Sequence, residues 1–398
     1  MAAPTTHMPL ANRINRIEIS ATLAVVNEAE KLRGAGADLV DFGAGEPHFA
    51  TPQFIKDAAI AAIQQDFTKY TAVGGTAELR DAIVKRHATD FASNYAREEV
   101  VAATGGKQAL FNAIQVLIDH GDEVIIPVPY WVSFKDIVQY AGGVPVFVPT
   151  DESKGFALTA KMIEQALTPR TKMILVNSPS NPSGAVVSTE DMKAIVELAR
   201  HRNLWVLSDE CYVYLNYTGE RFSVGSMTEA KDRMVIIGSL SKTYAMTGWR
   251  LGYALGPKPI IAAMNKIQSQ STSNPTSIVQ KAAVAAVTGP QQCIEDMKTD
   301  YVRLRNRMVE GMRAIPGVEC QMPSGAFYAY PNVGKFIGKP GVQSAADVAG
   351  RLLREAGVVT VPGEAFGTKD HIRLSYATSL AAINKGLERM EKWFGNIG

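Results

Sequence analysis

Ser239, Lys242 and Arg250 fall within one short stretch that could do covalent chemistry. The apolar run 234–237 leads into it and reads as a buried strand. Lys242 therefore stands just past a strand end, where open α/β sheets place their ligands. A lysine partly desolvated there can lose its proton and attack a carbonyl carbon. Ser239 adds a hydroxyl and Arg250 a fixed cation, a set that suits a phosphorylated aldehyde. Against this, most lysines are solvated surface charges. The Ser-x-x-Lys spacing also matches penicillin-binding enzymes, which need Ser-Asp-Asn and Lys-Thr-Gly elsewhere. This chain has Ser208-Asp209-Glu210 and Lys242-Thr243-Tyr244 instead, so that reading fails.

Other stretches supply the remaining parts of such a site. Thr104-Gly105-Gly106-Lys107 follows one strand and opens a helix, where free N–H groups and the positive helix end attract an anion. Asp209 ends the apolar strand Trp205-Val206-Leu207-Ser208, and a buried carboxylate needs a cationic partner or must neutralise. A protonated pyridine nitrogen would be such a partner, and pyridoxal 5'-phosphate is one phosphorylated aldehyde that carries it. Tyr212 is three residues on, within reach of the phenolic oxygen of that ring. Asn181 lies in the loop Asn177-Ser178-Pro179-Ser180-Asn181-Pro182-Ser183-Gly184, with an amide able to donate to the same oxygen and a cis bond expected before Pro182. Trp131 stands beyond another strand end and can pack on an aromatic ring, although most tryptophans are core residues. Near the C-terminus the alternation in His371-Ile372-Arg373-Leu374-Ser375 turns Arg373 away from its apolar neighbours, as bidentate carboxylate recognition requires. Each feature also has an ordinary reading: a glycine turn, a strand-end aspartate, a solvated strand arginine.

These side chains need a scaffold that gathers strand ends. The chain has 398 residues, 46% of them hydrophobic, enough for a large core and two domains. The formal net charge of +2, without basic clusters, gives no sign of nucleic acid or membrane partners. Three scattered cysteines and six separated histidines form neither a disulfide framework nor a metal motif. Residues 1–10 lack the pattern of an export signal, and a cytoplasmic setting is expected. Strands are expected at 39–42, 100–103, 123–127, 144–148, 173–176, 205–208, 235–237 and 252–255. Helices are expected at 20–32 with Ser20 as cap, 51–65, 77–87, 108–118, 131–140, 160–167, 189–201, 258–268, 274–287 and 292–315. Alternating strands and helices specify an α/β fold with a mainly parallel central sheet and helices on both faces, plus a smaller α+β domain. The expected division is an N-terminal arm and part of the small domain at 1–48, a large domain at 49–290, and the small C-terminal domain at 291–398.

From about residue 20 to the C-terminus the chain resembles the class I, fold-type I pyridoxal-phosphate-dependent aminotransferases, most of all the prokaryotic-type (subgroup 1b) aspartate aminotransferases. Ala44-Gly45-Glu46-Pro47, Thr104 to Gln108, Pro129 to Ser133, Asn177 to Gly184, Ser208 to Tyr212, Ser239 to Arg250 and Arg373 to Tyr376 carry the likeness, in that order. The resemblance implies that Lys242 joins the cofactor and moves the substrate α-proton. It implies that Asp209 pairs with the ring nitrogen, and that Tyr212 and Asn181 bond the ring oxygen. Trp131 would lie against the ring, and Ser239, Arg250, Gly105, Gly106 and Lys107 would hold the phosphate. Arg373, Asn181 and Gly45 would take the substrate α-carboxylate. Tyr70 would reach the neighbouring subunit's phosphate in a homodimer. Some relatives carry glycine where this chain has Ser239, whose hydroxyl adds a phosphate donor. Aspartate or glutamate and their 2-oxo acids would be substrates, with prephenate a further acceptor. The side chain of Lys107 is placed to hold the distal carboxylate, unless it is a solvated helix-start lysine. Thr22 and a partner's Ser271 complete that pocket by resemblance. A β-lyase, a decarboxylase or an aromatic or alanine aminotransferase remains open on the same scaffold. A DNA-binding regulator of the same family would need more chain before residue 20 and a basic patch.

Overall fold

The structure is a computed structural model that describes residues 10–18 and 21–397. Ser20, expected as a helix cap, lies outside the described residues, as do the first nine residues of the N-terminal arm; residues Asn12–Arg16 form a 3-10 turn. Helix α1 (Ala21–Gly34) precedes strand β1 (Val40–Asp41). Helices α2 (Gln53–Gln64) and α3 (Ala77–Phe91) follow, the second capped by Thr76 Oγ1, which accepts from Leu79 N at 3.2 Å.

The central stretch alternates as expected. It runs β2 (Val100–Ala103), α4 (Gly106–Leu117), β3 (Glu123–Val128), α5 (Ser133–Ala141), β4 (Val144–Pro149) and α6 (Ala160–Gln165). It continues through β5 (Thr171–Asn177), α7 (Thr189–His201), β6 (Trp205–Asp209), β7 (Met234–Ser239), α8 (Leu240–Thr243) and β8 (Gly252–Leu255). After α9 (Lys258–Ser269), α10 (Ser277–Thr288) and the long α11 (Gln292–Ala314), only short strands remain. These are β9 (Tyr328–Ala329), β10 (Val358–Val359), β11 (Val361–Pro362) and β12 (Ile372–Ser375), accompanied by α12 (Ala345–Arg351) and α13 (Leu380–Ile397).

The main sheet has the order β2-β8-β7-β6-β5-β3-β4. All its pairings are parallel except those of β8, which runs antiparallel to both β2 and β7. Only residues 240–251 join β7 to β8, and α8 with a 3-10 turn at Thr247–Trp249 occupies them. That is the lower limit for a parallel crossover, and the segment holds only single helical turns in place of a crossover helix, so β8 comes straight back. Lys242 and Arg250 are thereby kept together at the strand ends.

Alternation along the strands divides the core. Ile125, Ile174, Val206 and Ile236 face one layer, with Ile83, Ile195 and Ala283 from the helices. Ile126, Leu175, Leu207 and Ile237 face the other, with Ala113, Val138 and Met264. Both faces of a largely parallel sheet are covered, which is why its strands read as unbroken apolar runs. A third core joins Tyr301, Met308 and Met312 of α11 to Ile372 and Leu374 of β12, to Met390 of α13, and to Val40 and Phe42 near the start of the chain. Gly386 permits this closure: a Cβ there would lie 2.3 Å from the Phe42 ring. Among the described residues no helix is long and apolar enough to cross a membrane, and no cluster of metal-ligating side chains occurs.

Candidate active site

A cavity of about 610 Å³ opens at the ends of β5, β6 and β7, bounded on its other side by the Arg373 strand. It is lined by Gly45, Glu46, Gly106, Lys107, Trp131, Asn181, Asp209, Cys211, Tyr212, Ser239, Lys242, Arg250, Tyr328 and Arg373, among others. Residues from each of the seven stretches that carry the resemblance therefore converge on one space.

Lys242 sits in the single turn of α8 that follows β7. Its Nζ donates to the Gly45 carbonyl. Burial lowers its pKa, and the nearby Arg250 and Arg373 add to that effect against the opposing pull of Cys211 and Glu46. The balance favours a neutral, nucleophilic amine. Asp209 is the last residue of β6 and is 6% exposed. Its Oδ1 accepts from Cys211 N at 3.1 Å, and it has no cationic partner among the described residues. Burial pushes its carboxyl up to about 6.

The expected cis bond before Pro182 is present, along with two others at Pro129 and Pro179. The loop it belongs to is tied to β6: Asn177 Nδ2 donates to the Asp209 carbonyl at 3.0 Å, and Asn181 N donates to Asn177 Oδ1 at 2.9 Å. Asn181 Oδ1 accepts from Arg373 Nη1 at 3.0 Å, which leaves the Asn181 amide group as a donor. The hydroxyls of Tyr212 and Tyr328 lie 2.8 Å apart, and burial raises the pKa of Tyr212 well above its ordinary value, so it stays protonated.

At the sheet's other strand ends the backbone forms a cradle. Helix α4 starts at Gly106, two residues earlier than expected, so Gly106 and Lys107 present first-turn N–H groups. Gly105 has φ +88°, and a Cβ on it would lie 2.5 Å from Arg250 Nη2. Glycine is needed both for the turn and for the guanidinium beside it. A Cβ on Gly252 would lie 2.3 Å from Gly106 N, so that glycine lets β8 close against the turn. Ser239 caps α8, with Oγ accepting from Ser241 N at 3.2 Å. Arg250, itself left-handed at φ 54°, is anchored by Nη1 donating to the Thr247 carbonyl at 2.8 Å.

Arg373 is 1% exposed, which rules out a solvated strand arginine. Its Nη2 donates to the Gly43 carbonyl at 2.8 Å, and its guanidinium lies between the rings of Tyr328 at 4.6 Å and Phe366 at 5.1 Å. Nε has no acceptor, and no carboxylate pairs with this arginine among the described residues. Across the cavity Lys107 Nζ stands 4.8 Å from the Trp131 ring centroid. Burial, then Arg250, lowers its pKa. No carboxylate pairs with Lys107 among the described residues. Trp131 precedes α5 instead of starting it, and packs edge-on against Phe134.

Two residues expected at a neighbouring subunit's site lie outside this chain's cavity. Tyr70 is 92% exposed and outside the cavity. Ser271 turns its hydroxyl back to the Ile267 carbonyl at 3.1 Å. The side chain of Thr22 lies outside the described residues. Conversely, Tyr328, Glu46 and Cys211 line the cavity without having been singled out as site residues. Glu46 and Cys211 sit inside motifs already noted. Tyr328 lies in a two-residue strand of the aromatic run Phe327-Tyr328-Ala329-Tyr330, which reads as core.

The family model for aminotransferases of class I and II matches residues 37–390. The chain is 45% identical to an aspartate aminotransferase of Geobacillus stearothermophilus, over 97% of this chain and 99% of that protein. It is 43% identical to an aspartate/prephenate aminotransferase of Nitrosomonas europaea, over 96% and 99%. Among solved structures, the Thermus thermophilus aspartate aminotransferase with maleate superposes with a TM-score of 0.92 at 42% identity, covering 97% of this chain and 99% of that one. The Rhizobium meliloti aspartate aminotransferase gives 0.94 at 42% identity, covering 98% and 100%. A strand-end lysine among an anion cradle, a buried aspartate and a buried arginine, on a fold shared along its whole length, means that this chain belongs to the class I and II aminotransferases.

Proposed function

We propose that the protein is a pyridoxal-phosphate-dependent aspartate aminotransferase, exchanging the amino group between aspartate or glutamate and their 2-oxo acids. The observation that carries this reading is a pair of buried, opposite charges on two sides of one cavity, Asp209 and Arg373, neither with an ionic partner among the described residues. A buried charge without a partner is costly, so each is kept for a ligand group of opposite sign.

The cavity fits the cofactor. Asp209 would take a protonated ring nitrogen, whose charge would restore the carboxylate to its ionised form. Gly105, Gly106, Lys107, Ser239 and Arg250 would hold the phosphate through N–H groups, a hydroxyl and a guanidinium. Tyr212 and the Asn181 amide would donate to the ring oxygen, and Trp131 offers a flat apolar face. When bound, pyridoxal phosphate supplies an aldehyde for capturing the amino group and a ring that draws electrons from the α-carbon.

Arg373 and Asn181 orient the substrate by its α-carboxylate, with the Gly45 backbone alongside. Lys242 Nζ, kept available as a neutral amine by desolvation, would take the substrate α-proton and hold it for return. Tyr212 keeps its hydroxyl proton and so remains a donor throughout. Lys107, close enough to the cavity to bear on a second carboxylate, selects dicarboxylic substrates. The names of the relatives and the maleate in the Thermus structure, itself a dicarboxylate, support that choice, and the Nitrosomonas relative's name supports prephenate as a further acceptor.

We extend the reading to assembly. Tyr70, a large side chain 92% exposed beside the glycine turn, is suited to reach a second subunit's site, with Ser271 and Thr22 contributing to the substrate pocket of a homodimer. Mixing Tyr70→Phe and Lys242→Ala subunits should then regain activity in hybrids. The separate cores support a large domain at 49–290 and a small domain at 291–398 joined by 1–48. Three free cysteines suit a reducing cytoplasm. One experiment tests the central proposal: the absorbance of the purified protein should change on adding aspartate and revert with 2-oxoglutarate. A protein with no such absorbance, or one that responds to alanine and not to aspartate, contradicts it.

A further inference from the structure

Behind the main sheet lies a second polar site that the reaction does not use. Side chains alternate along β6, so Leu207 and Asp209 face one side while Val206, Ser208 and Glu210 face the other. Glu210 is 6% exposed and borders a separate cavity of about 270 Å³ with Ser208, Asn216, Thr218 and Glu220. Its Oε1 accepts from Ser208 Oγ and from Val224 N, both at 3.1 Å. Its Oε2 is buried without a partner among the described residues. A polar relay continues from there: Ser223 Oγ lies 3.4 Å from His87 Nε2, and His87 Nδ1 lies 2.7 Å from Ser93 Oγ. The backbone N–H of Glu210 donates to the Ile237 carbonyl at 3.0 Å, so the residue is fixed to the strand that leads to Lys242.

We propose that Glu210 is a positioning residue that sets the charge of Asp209 from the far face of the sheet, through a proton it carries. An ionised carboxylate with one unsolvated oxygen is disfavoured at this place, whereas the neutral acid leaves less to satisfy. No positive group offsets it. The ionisable groups around it are Asp209 on its own strand, Glu220 on the same cavity, Tyr95 beyond α3 and Tyr253 on β8, none of them cationic. His87 in the relay is held neutral, its pKa pushed down by burial to about 4. Burial pushes Glu210 up to about 7, against the hydrogen bonds of Ser223, Val224 and Ser208 that favour the ionised form, with Asp209 adding a smaller rise. Below that pH Glu210 is neutral and adds no charge beside Asp209. Above it a second negative charge stands one residue away, and a cationic ligand on Asp209 would hold its proton more tightly.

This rests on the cofactor reading above, and the test separates the two. The cofactor absorbance of the holoenzyme and the infrared band of protonated carboxyl groups are followed together from pH 5 to 9. With Glu210→Gln, neutral at every pH, the protonated-carboxyl band that titrates near neutrality should be lost. The midpoint of the absorbance transition should fall by about one pH unit, as removal of a nearby buried charge predicts. An unchanged midpoint overturns the proposal while leaving the cofactor reading intact; absence of cofactor absorbance would refute that reading instead. If the variant fails to fold, the parent decides: a carboxyl band and an absorbance shift that titrate at the same pH support the role, and a parent without a protonated carboxyl at pH 6 overturns it.

Discussion

The cofactor end and the carboxylate end of the cavity are built differently. At the first, Gly105–Lys107, Asp209–Tyr212 and Ser239–Arg250 each lie where a strand of one sheet gives way to a turn or helix. The backbone does much of the work there, and each piece is complete within a dozen residues. At the second, Arg373 is held by Gly43 and Asn181, 330 and 192 positions away in the chain, and is sandwiched by Tyr328 and Phe366. Its strand, β12, belongs to a three-stranded sheet with β9 and β11. One end is made of local strand–turn units and the other of long-range packing. The first depends on strand–turn units meeting side by side in the sheet, and the second on single side chains brought from far along the chain.

The largest effect is expected at the cofactor end. Lys242→Ala should lower turnover by at least ~10²–10⁴-fold, as for a lost general acid–base, and should abolish the mass added at residue 242 by borohydride reduction. Retention of both would remove the distinction between the two ends.

Next comes the carboxylate end. Arg373→Ala deletes a buried, hydrogen-bonded cation and strands its acceptors on Gly43 and Asn181. Changes of this kind cost roughly 2–5 kcal/mol, or a loss of about thirty- to several-thousand-fold in kcat/KM. Aspartate and alanine should suffer alike, because both carry the α-carboxylate. A loss confined to aspartate would mean that Arg373 reads the distal group instead.

Lys107 sharpens the comparison because it belongs to the first end by backbone and is proposed to serve the substrate by side chain. Lys107→Ala removes one charge-assisted bond, worth roughly 1.5–3 kcal/mol. Aspartate kcat/KM should fall by about ten- to a hundred-fold, with alanine spared. Equal losses for both amino acids would leave the acidic-substrate choice without its physical support.

The smallest effect concerns the cofactor-free protein. Burial raises the folded-state pKa of Asp209 from 3.8 to about 6. The folded state then binds a proton that the unfolded state has lost, so this contribution is fully present below pH 3.8 and disappears as pH rises through 6. Asp209→Asn should therefore melt about a few degrees above the parent at pH 7.5, with the gap closing in acid. The reverse ordering would show that the site accommodates the bare carboxylate.

The two ends also differ in how far they could be read from the chain. Apolar runs flanked by turn residues located all seven strands of the main sheet; the inner strands, buried on both faces, cannot hide their composition, and the exposed edge strand β4 was legible from its valines. Lys242, Asp209 and the Gly105-Gly106 turn followed from their places at the ends of those runs. Arg373 was legible as a strand residue, but its burial was not, since alternation fixes a face and says nothing about what covers it. Tyr328 was missed because an aromatic in an aromatic run looks like core until Tyr212 and Arg373 are set beside it.

By itself the sequence determined which segments become strands, which residues end them, and hence the chemical types gathered at one edge: an amine, a carboxylate, an anion cradle. These depend on local periodicity and turn chemistry, which act over a few residues. Tertiary structure alone decided that β8 lies between β2 and β7, that Arg373 is almost wholly buried, and that Asp209 and Glu210, neighbours in the chain, end in separate cavities on opposite faces of the sheet. Those outcomes turn on which distant surfaces close over a residue, and desolvation, which sets the charge of every one of these groups, depends on that closure.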